Sequence, residues 1–233
     1  MTHDSGFAPN PYFDLCTLAA CTPNHMRSRA DIEDVIVGVE SDALITKRTL
    51  KGIGDDRRRV VYWMRITKRM TLDQYYRDPK FDKKKYRAGS YAERCGDNVY
   101  FLDDKQERSF LPGHAHDNDQ KLFDQDWNGD RVFISNDYYY FGSMGMPIPP
   151  EFECMYPAGQ GIKYPENSVL IDDALIKEFD NKVFQYADNL GGNGMLGHPI
   201  EAELSSDGTS LTSCGKGVKA ARSCISSLGD KKN

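Results

Sequence analysis

The sequence predicts an α+β domain in which a small curved sheet, mixed or antiparallel, is flanked by helices. Three observations carry this. Short β-rich runs at Asp34 to Val39, Arg59 to Thr67, Asp97 to Leu102 and Arg131 to Asn136 are separated by loops without long intervening helices. One long stretch, Val169 to Ala187, repeats apolar residues at the spacing of a helical stripe. The regular strand and helix alternation of a doubly wound parallel sheet is not there.

Taken in order, the first thirty residues are rich in turn formers, with Pro9-Asn10-Pro11 and Thr22-Pro23-Asn24, and read as an ordered loop. The run RVVYWMRIT places Val60, Tyr62, Met64 and Ile66 on one face and Val61 and Trp63 on the other, so this strand is central. Tyr138 to Phe141 continues the run at Arg131 past a kink. Thr71-Leu72-Asp73 opens a short helix through Tyr76, which Asp78-Pro79 stops. The long helix starts after Pro165-Glu166-Asn167-Ser168 and presents Leu175, Ile176, Phe179, Val183 and Tyr186 to the sheet. From Gly191 the chain turns to glycine, serine and small polar residues. Residues 1–190 are therefore expected as the domain and 191–233 as a mobile tail.

Composition narrows the function classes. The 233 residues are 39% hydrophobic and 28% charged, as in an ordinary globular chain. No run of about 18 apolar residues exists to span a bilayer, and Met1-Thr2-His3-Asp4 lacks the basic start of a signal peptide, so a cytoplasmic location without membrane contact is expected. A formal charge of -5 argues against coating nucleic acid by electrostatics alone. Positive charge does collect at Lys47 to Lys51, Arg57 to Arg59, Lys80 to Lys85 with Arg87, and Lys216 to Arg222. These runs fit solvated loops and a local basic face equally well. The six cysteines are scattered and fit reduced thiols.

Candidate chemistry starts in Asp4-Ser5-Gly6-Phe7-Ala8-Pro9-Asn10-Pro11, followed by Cys16 to Pro23. Gly6 and the prolines fix an unusual backbone path, and Asp4, Ser5, Asn10 and Thr17 bring hydrogen-bonding groups together, as binding loops do. Spacing alone favours a plainer role, in which Asp4, Ser5 and Asn10 satisfy their own turns. Cys16 and Cys21 fit small buried residues better than a zinc pair, because zinc takes four closely placed ligands. His114, His116, Asp117 and Asp119 together resemble a divalent-ion set. They lie in a long polar segment, however, which is more often solvated, and histidines at i and i+2 of an extended stretch point to opposite sides. No metal and no cofactor is expected. Among the aromatics, Trp63, Tyr139 and Phe141 sit at strand ends where a base could stack, a contact worth roughly 1 to 3 kcal/mol.

The segments DSGFAPNP, CTLAACTP, VVYWMRIT leading to YYRDPKF, GDNVYF and SNDYYYFG, spread from about Asp4 to Gly142, together resemble the second type of nucleotide modification associated domain. That resemblance implies an association with modified or hypermodified nucleotides in bacteria and their phages. A looser similarity in the order of parts links Glu33-Asp34-Val35 and the Tyr76 to Phe81 element to EVE and ASCH domains, which implies a PUA-like barrel with a pocket for a base.

The expected function is then recognition of a modified base, in nucleic acid or as a nucleotide, between the N-terminal loop and the central strands. Asp4, Ser5, Asn10 and Thr17 would bond the base edge, with Trp63, Tyr139 or Phe141 stacking on it. Arg27, Arg29 and Arg65 would meet phosphate. A competing expectation is an enzyme that makes or edits the base, with Asp4 or Asp97 as general base and Cys16 as nucleophile. A third is an interaction module without a small-molecule site.

Overall fold

A computed structural model describes residues 1, 3–20, 30–117, 119–155 and 173–204. Its central strand is β3 (Arg59–Arg65), buried from Val60 to Met64. Antiparallel neighbours β2 (Val35–Val39) and β8 (Asp137–Tyr140) lie on either side of it. The register shifts where Gly38 faces Tyr62 and Val39 faces Val60, leaving Val61 as an extra residue. A bulge of this kind turns side chains over. Val60 consequently packs with Trp63, and Val61 with Tyr62, Met64 and Ile66, which exchanges the two valines relative to strict alternation.

A second sheet orders β1 (Cys16–Leu18), β7 (Val132–Ser135) and β4 (Lys68–Met70), all antiparallel. The third is the hairpin β5 (Tyr100–Leu102) with β6 (Arg108–Phe110). The α+β class with small mixed and antiparallel sheets is as the sequence predicts. The four β runs are nevertheless divided among three sheets, and the described strands close no barrel. The run at Asp97 begins as a strand only at Tyr100, because the side chains before it are committed elsewhere. Asn98 donates to the carbonyls of Tyr75 and Phe81, a local competitor of ladder pairing.

Helix α1 (Asp42–Leu50) follows β2, and α2 (Leu72–Arg77) carries a capping box between Thr71 and Gln74. Asp78 ends α2 and caps the 3-10 turn Pro79–Lys84. After the short α3 (Tyr91–Arg94) comes α4 (Gln120–Asn128), capped by Asp119. Neither α1 nor α4 is visible as an apolar stripe. The long helix α5 (Asp173–Asp188) buries Phe179, Val183 and Ala187 against Trp63, Phe141 and Phe152, while Ile176 faces solvent. The start signal at Pro165 lies outside the described residues.

Beyond Gly191 the described chain carries further regular elements. Met146–Pro147 forms β9 on β3, and Gly194–Met195 forms β10, parallel to β8. The short α6 (Ile200–Leu204) then buries Ile200 and places its backbone against Asp4. Residues 191–204 pack on the preceding sheet despite weak periodicity, through buried Pro199 and Ile200, the contacts of Met195 and Leu196 with the core, and the hydrogen bond to Asp4. The basic run at Lys216 lies outside the described residues.

Candidate functional site

The N-terminal motif is buried to a degree that its polarity conceals. Gly6 adopts φ +78°, and a Cβ there would stand 2.8 Å from Pro199 and 2.9 Å from the Tyr12 ring, so the loop is wedged beneath the 197–200 segment. Asp4 accepts from the Tyr140 hydroxyl and, at 2.9 Å, from the Ile200 backbone N–H. Burial still raises its carboxyl to about 6. The Ser5 carbonyl accepts from Tyr91 at 3.0 Å. Asn10 donates to the Cys95 carbonyl at 2.7 Å and accepts from Tyr12 N–H. Lys84, drawn from a basic run, is buried here, its ammonium donating to the Asn10 carbonyl and Oδ1 and to the Leu15 carbonyl at 2.7 to 2.9 Å. Thr17 donates to Asp97 at 2.6 Å and Tyr75 to its other oxygen at 2.9 Å. Burial raises Asp97 also to about 6.

These contacts occupy the groups that the sequence offers to a base edge. Asp4, Asn10 and Thr17 hold the domain together. Asp4 and Asp97 each have both carboxylate oxygens engaged, which leaves no oxygen of either unengaged. Cys16 is buried in β1, and burial pushes its thiol up to about 12, the reverse of what a nucleophile needs. Among the stacking candidates, Trp63 is fully buried and donates to Asp180 at 2.8 Å, and Phe141 is fully buried against Tyr186. Tyr139 is half-buried between Trp63 and Phe184. Arg65 pairs with Asp137 at 3.1 Å and lies over Trp63. Arg27 and Arg29 lie outside the described residues. Arg48, another member of a basic run, is buried against Glu40 at 2.7 Å. Asp4, Asn10, Thr17 and Asp97 form no open cleft in this arrangement.

An open concavity lies instead between the β5–β6 hairpin, the turn at residues 113–117 and the start of α4. It has a volume of about 210 Å³ and is lined by Phe110, His114, His116, Asp119, Gln120 and Phe123. Cross-strand pairing sets Tyr100 opposite Phe110, and the helical period puts Phe123 above Trp127. Phe110 meets Phe123 edge to face at 5.5 Å, and His114 meets Phe110 and Tyr100 at 5.5 Å each. The expected solvation of this segment is corrected, since His114 is 5% exposed and His116 is 2% exposed. Nor do the two rings diverge. Asp117 N–H donates to the His114 carbonyl, closing a turn that brings the rings to 6.4 Å.

Hydrogen bonding fixes both histidines. The Tyr100 hydroxyl donates to Asp126 Oδ2 at 2.7 Å, and the same oxygen holds His116 Nδ1 at 2.6 Å. The His116 backbone N–H donates to His114 Nδ1 at 3.1 Å. His114 Nε2 is buried and has no hydrogen-bond partner. Burial, reinforced by His116, lowers His114 to about 4, so the ring is neutral at pH 7. Phe7 of the N-terminal motif packs against both rings, with centroids at 6.4 Å from His114 and 5.0 Å from His116. Among the described residues no group of three or more His, Cys, Asp or Glu is arranged to hold a metal ion.

The profile of nucleotide modification associated domain 2 matches residues 1–205. The chain belongs to this family. Comparison with curated proteins and with solved structures finds no match. The family ties the chain to nucleotide modification, and its span runs through β10 and α6, the segments that close over Asp4. Among the described residues no helix is long and apolar enough to cross a membrane. Within the nucleotide modification associated domain, polarity along the sequence singles out the DSGFAPNP loop. Three-dimensional packing engages Asp4 and Asn10 of that loop with other parts of the chain and sets its Phe7 against the two histidines of the pocket.

Proposed function

We propose that this domain recognises a nucleobase, carried in nucleic acid or as a nucleotide and bearing a modification, in the pocket bounded by Phe110, His114 and Phe123. One observation carries the reading: a neutral, nearly fully buried imidazole with an unpartnered ring nitrogen lines an aromatic-walled cavity. A buried polar atom without a partner costs about 1 to 3 kcal/mol, and a ligand that meets it recovers that cost. Flat apolar walls suit a base, and an acidic chain suits recognition through the base more than through phosphate. The link to modification comes from the family.

The reading is tested by titrating the full chain with natural and base-modified 2′-deoxynucleosides. Phe123→Ala is expected to weaken binding by roughly 1 to 3 kcal/mol, the loss of one stacking wall. Equal affinity for all nucleosides and for ribose alone would sink it. A catalytic reading draws on the same place, because His116 is oriented by Asp126 as a base is oriented in acid-base enzymes. Mass spectrometry of the nucleosides after incubation separates the two, since a recogniser leaves every mass unchanged.

A further inference from the structure

We propose that His114 selects bases that present an exocyclic oxygen to the pocket floor, 4-oxo pyrimidines and 6-oxo purines, over their 4-amino and 6-amino counterparts. The proposal rests on the pocket being a base site. It follows from which nitrogen of His114 carries hydrogen. Nδ1 accepts the His116 backbone N–H and therefore has none, so the neutral ring holds its hydrogen on Nε2, the atom without a partner. His114 lines the pocket, so this donor lies just behind its wall, and a bound base meets it through a small shift of the ring, since the nitrogen is closed to water in the unbound domain. An exocyclic oxygen projects beyond the base ring and meets it as an acceptor, whereas an amino group brings a second donor against the first. Sites built around a buried hydrogen-bonding group reject the mismatched partner strongly, because both groups are then left unpaired.

The neighbourhood supports a donor floor. Trp127 Nε1, in the same aromatic cluster, is a second buried N–H without a partner. The tautomer is held in two steps: Tyr100 and Asp126 fix the His116 ring, and the His116 backbone N–H fixes His114. His116, Asp126 and Tyr100 are positioning residues for His114. The low basicity of His114 keeps it neutral, the attraction of Asp117 and Asp126 being outweighed by burial and by His116.

The experiment compares two matched pairs on the full chain by calorimetric titration: thymidine against 5-methyl-2′-deoxycytidine, and 2′-deoxyinosine against 2′-deoxyadenosine. Wild type is expected to bind the oxo member of each pair at least about tenfold more tightly. In His114→Leu both members should bind alike. Nitrogen-15 spectra of wild type should show His114 protonated at Nε2 at pH 7, with that signal moving when thymidine is added, and this needs no variant to fold. Equal or tighter binding of the amino members overturns the proposal while leaving a base site in place, as does an oxo preference that survives His114→Leu or a His114 ring protonated at Nδ1. Absence of binding by all four nucleosides and by the base-modified nucleosides of the first titration overturns the base site itself, and the selectivity falls with it.

Discussion

The hydroxyl of Tyr140 donates to the carboxylate of Asp4, joining residues 136 apart in sequence. Both atoms are buried, and Ile200 N–H completes the carboxylate's coordination. Desolvation nevertheless dominates, so Asp4 titrates near 6 instead of its usual value near 4. Between those values the folded chain holds a proton that the unfolded chain has released, so the contribution of Asp4 to stability is fully present below about pH 4 and is lost as pH rises through 6. Relative to Asp4→Asn, wild type is expected to gain up to about 3 kcal/mol on going from pH 7 to pH 4. Urea unfolding of both proteins across that range checks it, and a pH-independent difference would refute the buried titration.

Among the described residues Lys84 donates three hydrogen bonds inside the domain, to the Asn10 carbonyl and side chain and to the Leu15 carbonyl. Lys84→Met removes the donor and leaves the Asn10 and Leu15 oxygens buried without it. The expected loss is roughly 3 kcal/mol or more, since bonds from a charged donor contribute about 1.5 to 3 kcal/mol each. Denaturant unfolding measures it. A loss below about 0.5 kcal/mol would mean that Lys84 reaches solvent after all.

Ending the chain after Leu190 deletes β10 and α6, removes buried Ile200 and strips Asp4 of one donor. A fall of several degrees in Tm is expected relative to a chain ending after Leu204, which keeps these contacts. Equal Tm values would show that residues 191–204 add nothing to stability.

Trp63→Phe keeps an aromatic ring in the core but removes the bond to Asp180 and part of the buried ring volume, so a loss of about 1 to 3 kcal/mol in stability is expected. Affinity for a bound nucleoside should not change, because Trp63 exposes no face. A tenfold loss of affinity with an intact fold would move the base site to the central strands.

What the sequence reveals and conceals follows from the range of the forces involved. The strand at Val60 to Met64 is legible because a run apolar on both faces is a local signal, and Thr71-Leu72-Asp73 announces α2 by a cap and first turn that need only neighbouring residues. Helix α4 is hidden because QKLFDQDWN carries few apolar positions, and its packing is decided by Tyr100 and Phe110 from a distant hairpin. The burial of Lys84 and Arg48 is likewise settled by remote carbonyls and a carboxylate that no charge run foretells. His114 and His116 were noticeable as a pair. Their common side comes from the turn closed by Asp117, where an extended chain would separate them.

The bracket around Asp4 also bears on how the chain is made. Its partner Ile200 lies 196 residues downstream. At translation rates of about 5 to 20 residues per second, roughly 10 to 40 s pass between the emergence of the two. Over that interval Asp4 and Gly6 lack the segment that closes over them, and the Asp4 carboxylate stands open to water. The last-made part of the domain is what seals the first.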